Sequence, residues 1–256
     1  MLSREFLIER GYCCGLGCLM CPYEPKHIEG NTKLMGYILP DIYQSLCHDH
    51  DVTLPKVFVE TGTFMGGVPH RMLETNGNFN PFDKLYTIEL GEEICKVASK
   101  RYKLFMEHNG DLSEFDFHTD EKDEFFSGSE YYFDNKLKLI CGDSSEMLEG
   151  VLSELDEPVC FWLDAHAGTS RYSRGDDDVP LIKELSIIAK HHVKNHIIGI
   201  DDANLFGQKQ YDSNSNMICD YSEITFDKVK RLILDINPNY DIGIYKPYDM
   251  KMVLAI

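Results

Sequence analysis

From Lys56 onward the chain alternates short apolar runs with longer amphipathic ones, and this alternation is the strongest constraint on its fold. The runs Lys56–Glu60, Leu85–Ile88, Leu137–Cys141, Val159–Asp164 and Ile197–Asp201 are mostly Val, Ile, Leu and Phe. Runs that are apolar on both faces are strands covered on both sides. Between them lie helical patterns at Val68–Thr75, Glu92–Phe105, Ser145–Leu155, Leu181–His191 and Phe226–Leu234. Pro180 falls in the first turn of the fourth helix, where its missing N–H costs nothing. Strands separated by helices return parallel, through right-handed crossovers. The last two runs, Tyr240–Tyr245 and Met252–Ile256, are joined by Lys246-Pro247-Tyr248-Asp249 and predict an antiparallel hairpin at one edge. The predicted class is therefore α/β, with a mostly parallel sheet of seven strands.

Length and composition set the remaining limits. The 256 residues suit one such domain, residues 51–256, preceded by a Cys-rich and helical segment, residues 1–50. The stretch 107–135 breaks the rhythm; it is acidic, interleaved with Phe and Tyr, and reads as an insertion or lid. Net charge is −18, a surface that repels phosphate backbones and anionic lipid. Nucleic acid and membrane are thus not the expected partners. No apolar run approaches the roughly 20 residues of a membrane span. Residues 1–10 lack the pattern of a secretory signal. Nine cysteines without such a signal suggest reduced thiols and a cytoplasmic setting. Cys47, Cys95, Cys141, Cys160 and Cys219 fall in helices or strands as core fillers.

In an open α/β sheet, ligands bind beyond the carboxyl ends of the strands. After the first strand comes Glu60-Thr61-Gly62-Thr63-Phe64-Met65-Gly66-Gly67. Its glycines allow close backbone approach, but it is neither a dinucleotide fingerprint nor a P-loop. Glu60 suits the cationic amino group of an amino-acid-bearing ligand. Glu89, after the second strand, can accept both hydroxyls of a ribose. Gly142-Asp143-Ser144 follows the third strand; Asp143 suits an adenine amino group, and Ser144 can also cap the next helix. Each acid alone could be no more than a helix cap. Three in order after successive strands, behind a glycine turn, point to S-adenosylmethionine (SAM). At these positions the chain resembles the class I SAM-dependent methyltransferases, with their Rossmann-like seven-stranded sheet, over about 200 residues.

Two further strand ends suggest the reaction. Trp162-Leu163-Asp164-Ala165-His166-Ala167-Gly168 follows the fourth strand, and Asp201-Asp202-Ala203-Asn204 the fifth. These strands are neighbours in such a fold, so Asp164, Asp201 and Asp202 converge. Three carboxylates together call for a cation, and an oxygen-only set fits Mg²⁺ or Ca²⁺. The pattern is similar to the macrocin O-methyltransferase family of metal-dependent sugar O-methyltransferases. Glu60, Thr61, Gly62, Gly66 and Gly67 match its E-T-G-x-x-x-G-G loop. The resemblance implies Mg²⁺ on Asp164, Asp201 and Asp202, and a general base two residues after Asp164. His166 stands at that position in place of the family's Asp. Histidine can serve as that base. Asp164 and His166 are therefore the expected catalytic residues, acting on a hydroxylated small molecule such as a sugar. Simple capping by His166, and second-sphere hydrogen bonding by Asp201-Asp202, remain alternatives. Arg171, Tyr172, Arg174 and Asp176–Asp178 read as a substrate loop or as a solvated linker.

Cys13, Cys14, Cys18 and Cys21 lie within nine positions, in Cys13-Cys14-Gly15-Leu16-Gly17-Cys18-Leu19-Met20-Cys21-Pro22-Tyr23. This resembles a short C-C-G-x-G-C-x-x-C-P-Y cysteine-rich domain. Four thiolates suit Zn²⁺ or an iron–sulfur cluster, and reduced buried thiols are the plainer alternative. The spacing of Cys14, Cys18 and Cys21 also fits a radical-SAM cluster, but the sheet that follows is not a barrel. A different function class stays open: a catalytically inactive methyltransferase-like scaffold, with the cysteine segment as a docking module. A methyltransferase acting on protein or RNA is a third reading, and the charge argues against RNA. A homo-oligomer is compatible with the sequence.

Overall fold

A computed structural model describes residues 43, 46–64, 66, 68–69, 72, 82–107, 130–133, 135–168, 174–212, 214–245 and 252–256. The four N-terminal cysteines, most of the insertion, Arg171, Tyr172 and the terminal turn lie outside these residues. The helix expected at Val68–Thr75 lies largely outside them as well.

The strands form where the apolar runs predict, within a residue or two. They are β1 (Val57–Thr61), β2 (Lys84–Glu89), β4 (Leu137–Cys141), β5 (Val159–Leu163), β6 (Ile197–Ile200), β9 (Ile242–Tyr245) and β10 (Met252–Ala255). The described helices are α1 (Glu92–Glu107), α2 (Ser144–Ser153), α3 (Leu181–Lys190) and α4 (Phe226–Ile236). Two regions depart from expectation. Residues 130–133, assigned from sequence to the insertion, form β3 (Glu130–Phe133), which pairs antiparallel with β4 and makes the main sheet eight-stranded rather than seven. The segment 205–222, to which the apolar runs assign no strand, carries the separate hairpin β7 (Lys209–Tyr211) and β8 (Met217–Asp220).

The main sheet has the order β3-β4-β2-β1-β5-β6-β10-β9. From β1 the chain runs outward to β2 on one side and later to β5 on the other, and all of these contacts are parallel. The crevice between β1 and β5 is therefore the switch point of the sheet. β10 pairs antiparallel with β6 and with β9, as the expected hairpin requires.

Each face of the sheet has its own core, as the two-residue period of a strand demands. Val57 and Val59 pack with α2, α3 and α4 through Leu148, Leu185 and Ile233. Phe58 faces the other way, with Phe82, Ala98, Tyr102 and Trp162. Tyr43 and Cys47, in the segment ahead of residue 51, lie in that second core. The Tyr43 hydroxyl donates to the Phe161 carbonyl at 2.7 Å. It fits over Gly199, where a Cβ would stand 2.5 Å from the Tyr43 hydroxyl and 2.8 Å from the Trp162 ring. β3 caps the far edge, held by Lys138, whose ammonium reaches Glu130 at 3.1 Å and Glu154 at 3.3 Å.

Cys95 and Cys141 correct the expectation of isolated thiols: they are paired as a disulfide, with Cα atoms 6.1 Å apart, within the usual span for such a bridge. Cys47, Cys160 and Cys219 are free and buried. Among the described residues no helix is long and apolar enough to cross a membrane.

Below the sheet, at the end remote from the crevice, two buried histidines form a closed relay. The Val159 N–H donates to His196 Nδ1 at 3.1 Å, so that nitrogen carries no proton. His196 Nε2–H must then donate to His191 Nδ1, 3.2 Å away, leaving His191 Nε2–H for the Leu155 carbonyl at 2.9 Å. Burial first, and His191 second, hold His196 down at about 3. The unfolded chain binds a proton there below about pH 6.5 while the folded chain does not, so stability falls as pH drops below that value. Between pH 6.5 and 5 this group alone contributes a loss of about 2 kcal/mol. His196→Asn keeps an acceptor for Val159 N–H and removes the titration. Urea midpoints at pH 7.5 and 5 are expected to fall further in the parent than in this variant; equal falls would show that His196 is not the group responsible.

Candidate active site

The carboxyl ends of β1, β2, β4 and β5 open on one cavity of about 180 Å³, lined among others by Gly62, Glu89, Asp143, Ser144, Asp164 and His166. These are strand-end residues singled out from the sequence. Loop backbones lace the crevice together. Gly62 N–H donates to the Ile88 carbonyl at 2.9 Å, and Asp164 N–H to the Thr61 carbonyl at 3.1 Å. Gly62 has φ +82°, and a Cβ there would lie 2.5 Å from the Asp164 carbonyl oxygen. Only glycine lets the two loops approach this closely.

Glu89 is 8% exposed. Its Oε2 accepts the Phe64 N–H at 2.7 Å and its Oε1 the Gly91 N–H at 2.8 Å. Burial raises its pKa; the two backbone donors and one from Leu90 oppose this. Each oxygen retains an acceptor site for a ligand. Asp143, not Ser144, caps α2: its Oδ1 accepts the Ser145 N–H at 2.8 Å. Asp143 also lines the cavity, with its Oδ2 beside Gly175. The Ser144 hydroxyl is spent on Glu184 Oε1 at 2.6 Å. That corrects the sequence-based cap and makes Ser144 a poor donor to a ligand.

Glu60, Thr61, Thr63 and Gly66 are not among the residues lining this cavity. Glu60 is buried beneath it, where its Oε2 accepts the Thr87 hydroxyl at 2.6 Å. Burial pushes it up to about 8, against the pull of Thr87. Thr63 and Thr87 share a hydrogen bond between their hydroxyls. Glu60 and Thr63 thus meet Thr87 rather than the cavity.

A second hollow, of about 10 Å³, adjoins the first on the side of β6 and is lined by Asp164, His166, Asp201, Asp202, Glu184 and Tyr221. The two differ in what they can hold. The second has room for about one water or ion, the first for an organic group. Asp164, His166 and Asp202 each bring one ligand atom within 4.8 Å of the other two. His166 Nε2 lies 3.5 Å from Asp202 Oδ2. The Tyr221 hydroxyl donates to that same oxygen at 3.1 Å. Asp202 has φ +54°, an uncommon conformation for a residue with a side chain. Asp201 does not join the three: its Oδ1 accepts the Asp202 N–H at 2.8 Å. The ligand atoms that come this close belong to two aspartates and a histidine, while Asp201, of the three aspartates expected, lines the same hollow.

The acids here are crowded. Asp164 is held well above the usual carboxylate range by burial, then by Asp201 and Asp202. Burial, then Asp202, pushes Asp201 up to about 7. Burial alone would lower His166; Cys219, the Ala167 carbonyl and Asp202 outweigh it and bring it to about 9.

The loop at 174–180 is anchored rather than a free linker. Arg174 donates to the Ile218 carbonyl at 2.6 Å and pairs with Asp178 at 3.2 Å. Asp178 Oδ2 accepts the Asp220 N–H at 3.0 Å, and its carbonyl the Ala167 N–H at 2.6 Å. This loop joins the turn after β5 to the β7–β8 hairpin, and Asp177 and Asp178 line the cavity.

Sequence reading missed Tyr221, Glu184, Phe64 and Leu90. Glu184 had a signal, a lone acid on the apolar face of α3, where Leu181, Leu185 and Ile188 are also buried. Leu90 follows the strand-end acid directly and lines the cavity with Phe64. Tyr221 follows a strand that the sequence did not reveal.

No protein-family model matches the chain, and no curated protein matches it. Solved structures similar to it include an O-methyltransferase from Bacillus cereus in complex with SAH, 13% identical, covering 86% of this chain and 80% of that one, with a TM-score of 0.48. A SAH-bound methyltransferase from Podospora anserina is 12% identical over 88% of this chain and 80% of its own, with a TM-score of 0.45. An O-methyltransferase from Streptomyces achromogenes, involved in tomaymycin synthesis and in complex with SAM, is 13% identical over 86% and 79%, with a TM-score of 0.44.

Proposed function

We propose that this chain is a SAM-dependent O-methyltransferase acting on a hydroxylated small molecule, such as a sugar, with a divalent cation beside the reacting atoms. The observation that carries this reading is a cavity at the sheet's switch point lined together by Glu89, Asp143, Asp164 and His166.

Glu89 and Asp143 would receive the ribose hydroxyls and the adenine amino group, since both present carboxylate oxygens and neither is paired to a side-chain cation within its own hydrogen bonds. Phe64 and Leu90 supply apolar walls to the same space. When bound, SAM supplies a sulfonium-activated methyl: its S–C bond breaks as an O–C bond forms, and the acceptor hydroxyl gives up its proton. Asp164 and Asp202 would hold the cation, which would supply orientation of the acceptor hydroxyl and a lowered pKa there. Two roles then compete for His166 Nε2, taking the hydroxyl proton or ligating the cation. One lone pair cannot do both. The anchored loop at 174–180 walls the same cavity through Gly175, Asp177, Asp178 and Pro180, with Gly175 against Asp143 and Leu90.

Calorimetry with SAM tests the donor site. The parent is expected to bind, and Glu89→Gln to bind about 10-fold more weakly, the worth of one hydrogen bond to a charged acceptor. No heat from the parent would favour the inactive scaffold instead. Methylation unchanged by EDTA would remove the cation from this reading.

A further inference from the structure

His166 lies at the centre of a donor set that differs from an all-oxygen one. Its Nδ1 is 2.8 Å from the Ala167 carbonyl oxygen. A carbonyl can only accept, so Nδ1 carries the proton. Nε2 must then either carry a second proton or aim a lone pair at Asp202 Oδ2, 3.5 Å away. With that proton the two form an ion pair; a metal cation would take the proton's place between them. A histidine that donates one ring N–H to a backbone carbonyl while its other nitrogen faces carboxylates has the orientation of a metal ligand. Asp202 is braced in the same manner, since Tyr221 donates to its Oδ2 at 3.1 Å. Its left-handed φ of +54° turns the residue out of the line of β6. Asp201 lines the same hollow as these residues, and its Oδ1 accepts the Asp202 N–H. The adjoining hollow is about one ion in size.

We infer that Asp164, His166 and Asp202 form a centre for a first-row transition-metal dication, bound through His166 Nε2, in preference to Mg²⁺. Mg²⁺ takes oxygen ligands in a near-ideal octahedron, and an imidazole in a fixed place wastes one of its positions. Mn²⁺, Fe²⁺, Co²⁺ and Zn²⁺ accept imidazole alongside carboxylates. Three protein ligands leave coordination positions open toward the cavity, enough for water and two oxygens of a diol. The inference deepens the proposed function, for it makes His166 a ligand and not the base. It does not need SAM to be tested.

The test uses the whole chain, stripped of metal with EDTA and then titrated separately with MnCl₂ and MgCl₂ in the absence of SAM. Calorimetry is expected to show Mn²⁺ bound at least about 10-fold more tightly than Mg²⁺. Electron paramagnetic resonance of the Mn²⁺ form is expected to show hyperfine coupling to an imidazole nitrogen. In His166→Asp, circular dichroism reports the fold, the nitrogen coupling disappears, and the preference for Mn²⁺ narrows. Bound Mn²⁺ without nitrogen coupling would overturn the ligand role of His166. Equal affinity for the two ions would overturn the selectivity, as would a parent that binds neither. Failure of SAM to bind in a separate titration would undo the methyltransferase reading and leave these metal results standing.

Discussion

Asp164→Asn is expected to cut methyl transfer by about 10²–10³-fold, while the metal-free protein becomes more stable. The two effects share one cause. Asp164 is crowded by burial and by Asp201 and Asp202, which raise its pKa well above the ordinary range. A carboxyl raised in the folded state is destabilising above its unfolded value near ~3.9, because folding must either hold the charge or take up a proton. The amide has nearly the same shape and no charge, so in EDTA the variant is expected to melt a few degrees higher at pH 8. In the parent, added Mn²⁺ is expected to recover that stability by binding the folded state alone. The loss of turnover follows from removing a carboxylate that holds and orients the reacting centre, for which factors of about 10²–10³ are common from one preorganised group. Thermal melts with and without metal, together with single-turnover methylation, check both halves. A variant that loses activity and stability together would mean that Asp164 is structural.

Gly62→Ala is expected to have the largest effect on the crevice itself. The new Cβ would meet the Asp164 carbonyl carbon at 2.7 Å and the Ala165 nitrogen at 2.8 Å, as well as the carbonyl oxygen. These are backbone atoms and cannot rotate aside. The turn after β5 must move, and with it Asp164 and His166. A displacement of about 1 Å at a reacting centre costs on the order of 10²-fold in rate. The positive φ adds about 1–2 kcal/mol of strain for any residue with a Cβ. Gly207→Ala supplies the control, because Gly207 has φ +77° and open space around it. Both variants should lose stability through the backbone, but only Gly62→Ala should lose SAM affinity and turnover. Equal losses in the two would show that strain, not the contact with Asp164, is responsible.

The central strands were legible because both faces are buried, so almost every residue from Val57 to Thr61 or Val159 to Leu163 is apolar or hidden. β3 was not, since three of its four residues keep contact with solvent and its stability comes from Lys138 and from pairing with β4. The β7–β8 hairpin stands outside the main sheet, and its strands of three and four residues are too short to show a period. In the site, residue type and strand-end position marked Asp164, His166 and Asp202. Neither could separate Asp202 from its neighbour Asp201, because that depends on a left-handed turn at one residue. The choice of Asp143 over Ser144 as cap is likewise decided by how the chain leaves β4. The pairing of Cys95 with Cys141 joins the start of a helix to the end of a strand 46 residues away, which spacing alone does not reveal.

The contact of Tyr43 with Phe161 and Gly199 bears on how the protein can be taken apart. A fragment starting at residue 51 would leave the Phe161 carbonyl without its donor and an open slot beside Trp162. It would also shed Cys47 from the same packing. An attempt to assign activities separately to the cysteine-bearing front and the sheet would then confuse a damaged core with a missing partner. The cut that asks the intended question falls ahead of Tyr43, so that the front is removed and the packing around Tyr43 and Cys47 is kept.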